Sequence, residues 1–459
     1  MSNLDPLIES ARGNHERYLD ELKALIAIPS ISTLPQHKAD IQRAAEWIAG
    51  ELRTMGMNDV AVMPTAGHPV VYADWLGAPG KPTVLIYGHY DVQPVDPLGE
   101  WRSPPFEATQ RGDNLYARGA ADMKGQVHSV LKALEAWLRN GGLPVNVKVM
   151  FEGEEELGSP NLAPFIEQHK DTLRSDLLLN ADSGIERPDL PSLVYGLRGM
   201  AYFELWVYGP SQDLHSGMFG GSVHNPAQVL CELVAGMHDA NGRITLPRFY
   251  DKVRELSRAE RAELARVPFD DEAWRKQAGV TALYGEAEYT TPERLGTRPT
   301  LEVNGISGGF TSEGLKTIVP AKAMAKVSTR LVPFQDPDDV ERALNEYVRA
   351  HAPPTVRWEV KKLTRGGPAV LVERDTPGMR AAVRAIERTY GKPPVFQLIG
   401  GSVPVVSMAR DLLGLDAIML GFSVMEGANL HSPNEQMHLP TYYRGIEAYI
   451  RFFDALAEG

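Results

Sequence analysis

The apolar residues of this chain fall into short runs that alternate with stretches of helical periodicity. Four runs have the length and composition of buried strands: "TVLIYG", "VNVKVMF", "DLLLNA" and "AIMLGF". The stretches "QVHSVLKALEAWLRNGG" and "NLAPFIEQHKDTLRS" space their apolar residues as amphipathic helices do. Two further helices precede them, "ERYLDELKALIAI" and "DIQRAAEWIAGELRTMG". This order predicts an α/β domain of three layers.

The pattern changes after "GLRGM". A strand, a helix, two strands, a helix and a strand follow: "AYFELWVYGP", "NPAQVLCELVAGMHDA", "LEVNGISGG", "AKAMAKVSTRLVP", "DPDDVERALNEYVRAH" and "TVRWEVKKL". This β-α-β-β-α-β order predicts a ferredoxin-like sandwich, interrupted by a charged helical stretch at roughly residues 250–295. The α/β pattern resumes at "RDTPGMRAAVRAIERTYG". We therefore expect one domain in two parts, residues 1–199 and 370–459, with a second domain inserted at residues 200–369.

Length and charge narrow the class of protein. A chain of 459 residues favours two domains over a single core. Its net charge of −12 argues against a nucleic-acid partner, whose binding surface would be basic. The apolar runs are too short to span a membrane, and the polar N-terminus lacks the apolar core of a signal peptide. The single cysteine, Cys231, excludes an internal disulfide, and we expect a cytoplasmic protein.

Polar side chains follow several of the predicted strands directly. They are His89 and Asp91, the run Glu154–Glu156, Asp182 and His431, with Asp122 just before a helix. Because ligand sites gather at the carboxyl ends of strands in open α/β sheets, we expect these side chains to meet. Histidines and carboxylates together suit zinc, or manganese in a harder site. Each cluster alone would be an ordinary polar turn, and only their combination predicts a metal site.

Other reaction mechanisms find no support in the sequence. There is no G-x-S-x-G elbow, no phosphate-binding loop ending in Gly-Lys-Ser or Gly-Lys-Thr, and no G-x-G-x-x-G. Cys231 lies within the apolar helical pattern "QVLCELV", which predicts a core residue and not a nucleophile.

The ordered motifs resemble those of a known dinuclear metallopeptidase family. They are "GHYDVQP", "ARGAADMKG", "EGEEELGS", "NADSG", "YGLRG", "DLHSG" with "GGSVHNP", "GGSVPV" and "HSPNE". The family includes carnosine and other dipeptidases, aminoacylase, carboxypeptidase G and succinyl-diaminopimelate desuccinylase. The segments "DLHSG" and "GGFTSEGLKTIVPAKA" are most similar to its carnosine-dipeptidase-like branch.

The resemblance implies two divalent metal ions per subunit, about 3.5 Å apart as in other two-metal hydrolases. Asp122 would bridge them, and the peptide bond from Asp122 to Met123 would be cis. His89 and Asp182 would complete one metal site. Glu156 and His431 would complete the other. Zinc is the first expectation for both, with manganese as the alternative.

The resemblance also implies catalytic roles. Glu155 would be the general base, taking a proton from the water between the ions and passing it to the leaving amine. Asp91 would hydrogen-bond His89 and fix its tautomer. His215 of "DLHSG" would stabilise the oxyanion, commonly from the partner subunit. Glu154 is left with a structural role.

Three further residues are expected at the substrate. Arg330 would hold a substrate carboxylate through a two-pronged contact. Thr317 and Ser402 are weaker candidates. One departure concerns "QLIGGSVP", where the dipeptidase branch often has Arg-Glu before the glycines. Leu398 and Ile399 make the amino-end pocket more apolar, so an N-acyl or otherwise modified substrate comes into consideration.

The sequence thus predicts an α/β three-layer catalytic domain with an inserted ferredoxin-like lid and dimerisation domain. The expected enzyme is a homodimeric metal-dependent dipeptidase acting on small substrates with a free carboxylate. An N-acyl-amino-acid deacylase is the alternative, and a non-catalytic peptide-binding homologue is a rival of another class. The side chains of the substrate and the role of residues 250–295 are left open.

Overall fold

A computed structural model describes residues 4–363, 366–401 and 403–459. These residues divide into two units. Unit 1 takes the described residues of Met1–Tyr195, Val372–Phe396 and Val403–Gly459, and unit 2 takes those of Gly196–Leu371 and Gln397–Ser402.

Fifteen α-helices occur in the described residues. In chain order they are α1 (Asp5–Gly13), α2 (His15–Ile26), α3 (Lys38–Met55), α4 (Lys124–Arg139), α5 (Leu162–Gln168), α6 (Lys170–Leu173), α7 (Ser216–Phe219), α8 (Pro226–Ala235), α9 (Arg258–Leu264), α10 (Asp271–Ala278), α11 (Thr291–Thr297), α12 (Pro337–His351), α13 (Pro377–Tyr390), α14 (Pro404–Met408) and α15 (Leu439–Glu458).

The same residues contain twenty strands, several of them only two or three residues long. They are β1 (Asn58–Met63), β2 (Val70–Trp75), β3 (Thr83–His89), β4 (Thr109–Arg111), β5 (Asn114–Tyr116), β6 (Asn146–Glu152), β7 (Leu177–Asn180), β8 (Gly184–Ile185), β9 (Ser192–Leu197), β10 (Gly199–Tyr208), β11 (Leu214–His215), β12 (Thr300–Gly308), β13 (Ile318–Val319), β14 (Lys322–Leu331), β15 (Arg357–Lys362), β16 (Val370–Leu371), β17 (Val395–Ile399), β18 (Ala417–Met419), β19 (Ser423–Val424) and β20 (Gln436–His438).

The main sheet of unit 1 has the order β1-β2-β6-β3-β7-β18-β9. Strands β6, β3, β7 and β18 run parallel, whereas β1, β2 and β9 pair antiparallel to their neighbours. The central strands are buried along nearly their whole length, as their continuous apolar runs predict. Helix α4 is buried over most of its length, and α15 packs against it and against α13. This α/β arrangement is consistent with the three layers expected.

Unit 2 contains a four-stranded antiparallel sheet in the order β12-β14-β10-β15. Alternate residues of β10 and β14 are buried, and they form one core with apolar residues of α8 and α12. The charged stretch between β10 and β12 forms the short helices α9, α10 and α11. Capping boxes at Ser257 and Thr290 begin the first and the last of them.

Three local expectations need correction. The stretch predicted as one helix after "GS" breaks into α5 and α6 at His169. The edge strand β1 and its neighbour β2 were not expected. Cys231 is exposed and not in the core, because α8 buries Val229, Leu230 and Leu233 and turns the intervening position outward. None of the described helices combines the length and the apolar character needed to cross a membrane.

Candidate metal centre

Parallel strands of unit 1 end side by side where the polar clusters begin. His89 at the end of β3 lies opposite Glu152 at the end of β6. Tyr87 of β3 lies opposite Asn180 at the end of β7. Because these strands run in the same direction, the loops that follow them start from one edge of the sheet.

His89, Asp122 and Asp182 form a first group of possible ligands. One ligand atom from each lies within 4.8 Å of the others. His89 is fully buried, and its Nε2 lies 3.3 Å from Asp122 Oδ1. Within the described part of the chain this Nε2 has no hydrogen-bond partner of suitable alignment. A buried imidazole nitrogen that faces carboxylates without a hydrogen bond has the surroundings of a metal ligand.

Asp122, Glu156 and His431 form a second group within the same 4.8 Å limit. His431 Nε2 lies 2.9 Å from Asp122 Oδ2 and 3.3 Å from Glu156 Oε2. Asp122 therefore turns one oxygen to His89 and the other to His431. The Gln93 side-chain amide also donates to Glu156 Oε2 at 2.7 Å. One carboxylate common to two groups is the arrangement that two neighbouring cations require.

Asp91 is fully buried and contacts the His89 ring and the backbone N–H groups of Glu155 and Glu156. Its Oδ1 lies 3.4 Å from His89 Nδ1, and its backbone carbonyl lies 3.1 Å from the same nitrogen. Its carboxylate also accepts from the backbone N–H groups of Glu155 and Glu156, at 3.2 Å and 3.1 Å. Asp91 thus orients the histidine and also fixes the turn that carries both glutamates, a second task that the sequence did not predict.

The carboxylates of the centre strongly affect one another. Burial, with the charges of Asp182 and Glu156, raises the pKa of Glu155 to about 9, although His89 acts in the opposite direction. Burial, with the charges of Asp122 and Glu156, raises the pKa of Asp182 to about 7 against the effect of His89. A divalent cation among these groups would remove the repulsion that disfavours their ionised forms.

The pKa values of the two histidines are raised as well, which favours their charged forms. Hydrogen bonding to Asp122, followed by Glu156, raises the pKa of His431 to about 10. Burial alone would lower the pKa of His89, but Asp122 and Asp91 raise it well above its usual value. Bound cations need both imidazoles neutral, so metal binding and protonation compete at these two side chains.

Glu154 and Glu152 lie beside the centre with partners of their own. Glu154 accepts from the His68 backbone N–H at 2.9 Å and from the Asn161 side chain, in agreement with a structural role. Burial raises the pKa of Glu152 to about 7, while hydrogen bonds from Tyr87 and Ser159 oppose that shift.

Two residues without a predicted role hold the loop that carries Asp122. Glu435, which is fully buried, accepts hydrogen bonds from the backbone of that loop and from Arg118. Both lie inside motifs that the sequence analysis quoted, "ARGAADMKG" and "HSPNE". The peptide bond between Asp122 and Met123 is cis, which confirms the expectation from the resemblance.

The expected substrate residues His215, Thr317 and Arg330 belong to unit 2. His215 is exposed and pairs with Ile318 across β11 and β13. Its Nδ1 accepts a hydrogen bond from the Gly217 backbone N–H at 3.0 Å, so the neutral ring carries its proton on Nε2. The Thr317 carbonyl accepts from the backbone N–H of Ser216 at 3.1 Å, beside that histidine.

Arg330 lies on β14, opposite Met200 of β10 and Thr300 of β12. It is half-buried on the sheet face that α8 and α12 do not cover. Ser402, the remaining candidate, lies outside the described residues.

A third group of carboxylates is not a metal site. Glu21, Glu51 and Glu135 also place oxygens within 4.8 Å of one another. The ammonium group of Lys132 lies among them, at 2.6, 2.8 and 2.9 Å. A lysine therefore supplies the positive charge that a cation supplies elsewhere.

Comparison with known proteins finds a family model and a relative that cover most of this chain. The model of peptidase family M20/M25/M40 matches residues 85–455, which include both ligand groups. A Cys-Gly metallodipeptidase of Schizosaccharomyces pombe is 31% identical over 99% of this chain and 98% of its own length.

Two solved structures resemble this chain over almost its whole length. A metallo-carboxypeptidase of the M20 family from Sulfolobus solfataricus has a TM-score of 0.85 and 33% identity, covering 96% of this chain and 99% of its own. Human carnosine dipeptidase 1 has a TM-score of 0.82 and 29% identity, covering 100% of both chains.

Proposed function

Since the chain belongs to peptidase family M20/M25/M40, we propose that it is a two-metal hydrolase that cleaves dipeptides or similar small substrates with a free carboxylate. Its relatives of about 30% identity are named as a Cys-Gly metallodipeptidase and a Beta-Ala-His dipeptidase. The observation that carries the proposal is the pair of ligand groups that share Asp122.

The donor set fits two divalent ions. His89, Asp122 and Asp182 would hold one, and Asp122, Glu156 and His431 the other. The unpartnered Nε2 of buried His89 and the mutual repulsion of the carboxylates both favour a bound cation. Ions in this position would supply Lewis-acid activation of the scissile carbonyl and of the attacking water. We propose zinc, with manganese as the alternative.

Glu155 is the proposed general base. It lies in the turn fixed by Asp91, directly before the ligand Glu156. A carboxylate in this turn, beside Asp182 and Glu156, could take a proton from water and then deliver it to the leaving amine. Asp91 is not a proton carrier in this scheme, because its carboxylate keeps His89 and the Glu155 turn in place.

Unit 2, expected at residues 200–369, is proposed as the lid and dimerisation domain. Arg330 would bind the substrate carboxylate, with Thr317 and Ser402 as further contacts. The Nε2–H group of His215 would donate to the oxyanion, acting on the partner's centre in a homodimer. A small peptide in the cytoplasm is the proposed natural substrate.

An N-acyl amino acid is the second candidate substrate. Leu398 and Ile399 precede the glycines at the proposed substrate loop, and both are only half-buried. An apolar pair in this position provides no partner for a substrate ammonium group. It favours an acyl group or a modified amino end there.

A substrate panel on metal-depleted protein tests the proposal. Free dipeptides, N-acyl amino acids and a longer peptide would each be assayed with zinc or manganese restored. We expect hydrolysis of at least one class that disappears with a chelator and returns with the metal. We also expect chelation to lower the midpoint of thermal unfolding, because ligands that bind only the folded state stabilise it. Protein that binds no divalent ion, or that hydrolyses none of these substrates when loaded, would contradict the proposal.

A further inference from the structure

We infer that Glu435 is a positioning residue of the metal centre, fixing the distance between the ligands Asp122 and His431. The inference rests on the proposed two-metal function, because it assigns the residue that holds that centre together. Among the described residues Glu435 is not one of the possible ligands, and its carboxylate contacts the backbone of the Asp122 loop.

Four donors meet at this one carboxylate. Its Oε1 accepts from the backbone N–H groups of Ala121 at 2.9 Å and Asp122 at 3.0 Å. Its Oε2 accepts from Arg118 Nη1 at 2.7 Å and from the Gly119 backbone N–H at 3.0 Å. A carboxylate has about four lone-pair sites, so the donors fill it and leave none for a metal ion.

These bonds join parts of the chain that are far apart in sequence. Glu435 follows His431 by four residues, whereas its donors precede it by 313 to 317 residues. Its backbone carbonyl also accepts from the Ala117 N–H at 3.0 Å. Strand β20, which begins at the next residue, pairs with β5. The Asp122 loop and the His431 loop are thereby held as one body, and Glu435 is the central connection.

Glutamine cannot replace this carboxylate. Each oxygen faces two N–H donors, so either orientation of a glutamine amide would point its NH2 group at two other donors. The loop would move away from the segment that carries His431. Both cations depend on Asp122, so the displacement would weaken the whole centre and not only one ligand.

Glu135 offers a closely matched control. It is also buried, and each of its oxygens faces two cationic nitrogens. Oε1 accepts from Arg17 Nη2 and forms an ion pair with Arg139 Nη2, and Oε2 accepts from Lys132 Nζ and Arg17 Nη1. All of these donors are side chains of α2 and α4, and none belongs to a ligand loop. Glu135→Gln therefore introduces the same chemical conflict away from the metal centre.

The test is calorimetric titration of zinc and of manganese into metal-depleted Glu435→Gln, Glu135→Gln and wild-type protein. Residues that orient ligands typically change metal affinity about 10–100-fold, and we expect a loss of that size in Glu435→Gln alone. Its kcat should fall at saturating metal with little change in KM, because substrate contacts are untouched. Affinity within about twofold of wild type would overturn the inference.

Arg118→Lys provides a milder second variant if Glu435→Gln does not fold. It keeps the charge but loses the flat guanidinium that reaches Glu435 Oε2 and the Pro94 carbonyl together. We expect a smaller loss of metal affinity in the same direction, and unchanged affinity would overturn the inference. Wild-type protein that binds no metal would instead contradict the proposed function, so the two failures are distinguishable.

Discussion

Glu155 and Glu156 are neighbours in the chain, yet their surroundings differ completely. Glu156 lies against His431 and accepts from Gln93. Glu155 is buried among like charges and has a pKa of about 9, raised first by burial. The Asp91 carboxylate holds the backbone N–H of both, so the two side chains cannot exchange roles.

We therefore expect Glu155→Gln to separate catalysis from metal binding. The variant should keep both ions, because Glu155 belongs to neither ligand group. Its kcat should fall at least ~10²–10⁴-fold, the usual contribution of a general base. Metal content from elemental analysis and steady-state kinetics measure the two effects separately. Near-normal kcat would remove Glu155 from the mechanism.

His215 allows a similar distinction between its two ring nitrogens. Nδ1 is engaged by Gly217, so Nε2 is the donor available to a substrate. The amide nitrogen of glutamine can approximate Nε2, whereas that of asparagine approximates Nδ1. We expect His215→Gln to retain more kcat than His215→Asn, which should lose about 10²–10³-fold as for other oxyanion donors.

The same substitutions at His224 are the control for this comparison. His224 is also an exposed histidine of unit 2, and its Nδ1 lies 2.6 Å from Thr355 Oγ1. Neither variant there should change kcat. Equal activity of His215→Gln and His215→Asn would contradict the assignment of Nε2 as the donor.

At the scale of elements, the apolar runs predicted the central strands and the side chains at their ends. The runs "TVLIYG" and "VNVKVMF" became β3 and β6, which place His89 opposite Glu152. This works because a strand buried on both faces is a nearly continuous apolar run, so the polar cluster that follows the run marks its end. The ligand groups were therefore readable from the sequence with the help of the family motifs.

Other features could not be predicted from the sequence around them. The edge strand β1 pairs with its sequence neighbour β2, but the place of both in the main sheet depends on the pairing of β2 with the distant strand β6. Glu435 resembles any polar loop residue, because its four donors come from a distant segment. Cys231 shows the limit of an apolar pattern, since a helix with many apolar residues still exposes one side. The roles of His215, Thr317 and Arg330 remain predictions.

The ion pairs that connect α2, α3 and α4 support a prediction at this scale. Lys132 neutralises carboxylates from all three helices, namely Glu21, Glu51 and Glu135. Removing one partner of a buried ionic group typically costs about 3–5 kcal/mol. We expect Lys132→Met to lower the free energy of unfolding by about this amount, as measured by denaturant titration.

Lys148→Met is the matched control for this loss. Lys148 is a buried lysine on β6 that donates to the backbone carbonyls of Thr172 and Arg174. Its hydrogen-bond partners are neutral carbonyls, and Asp74 is the carboxylate that acts on its charge, so we expect a smaller cost of about 1–3 kcal/mol. An equal or larger loss in Lys148→Met would mean that the carboxylates around Lys132 do not determine the effect.

The whole molecule is proposed to act as a homodimer in which each subunit supplies His215 to the other. Asp122→Ala chains would lack a working centre but offer an intact His215. His215→Ala chains would keep their ligands but offer no donor. We expect each variant alone to be nearly inactive and their mixture to regain activity, because one site of each mixed dimer is complete.

Activity of the mixture after subunit exchange measures this rescue. Exchange itself can be followed with differently tagged chains. The loss of one oxyanion donor is worth roughly 3–4 kcal/mol, so a restored site would be easy to detect. Exchange without recovery would show that His215 acts within its own subunit or does not contribute.

The large sequence separation between Glu435 and its donors also affects when the metal centre can form during synthesis. Its backbone donors from Gly119 to Asp122 leave the ribosome more than three hundred residues before their acceptor does. At a translation rate of about 5–20 residues per second, that interval is roughly 15–60 s. His431 emerges in the same late segment, so the nascent chain holds neither a complete ligand set nor a fixed Asp122 loop. Loading with metal is therefore expected only after synthesis has passed Glu435, long after the Asp122 loop has emerged.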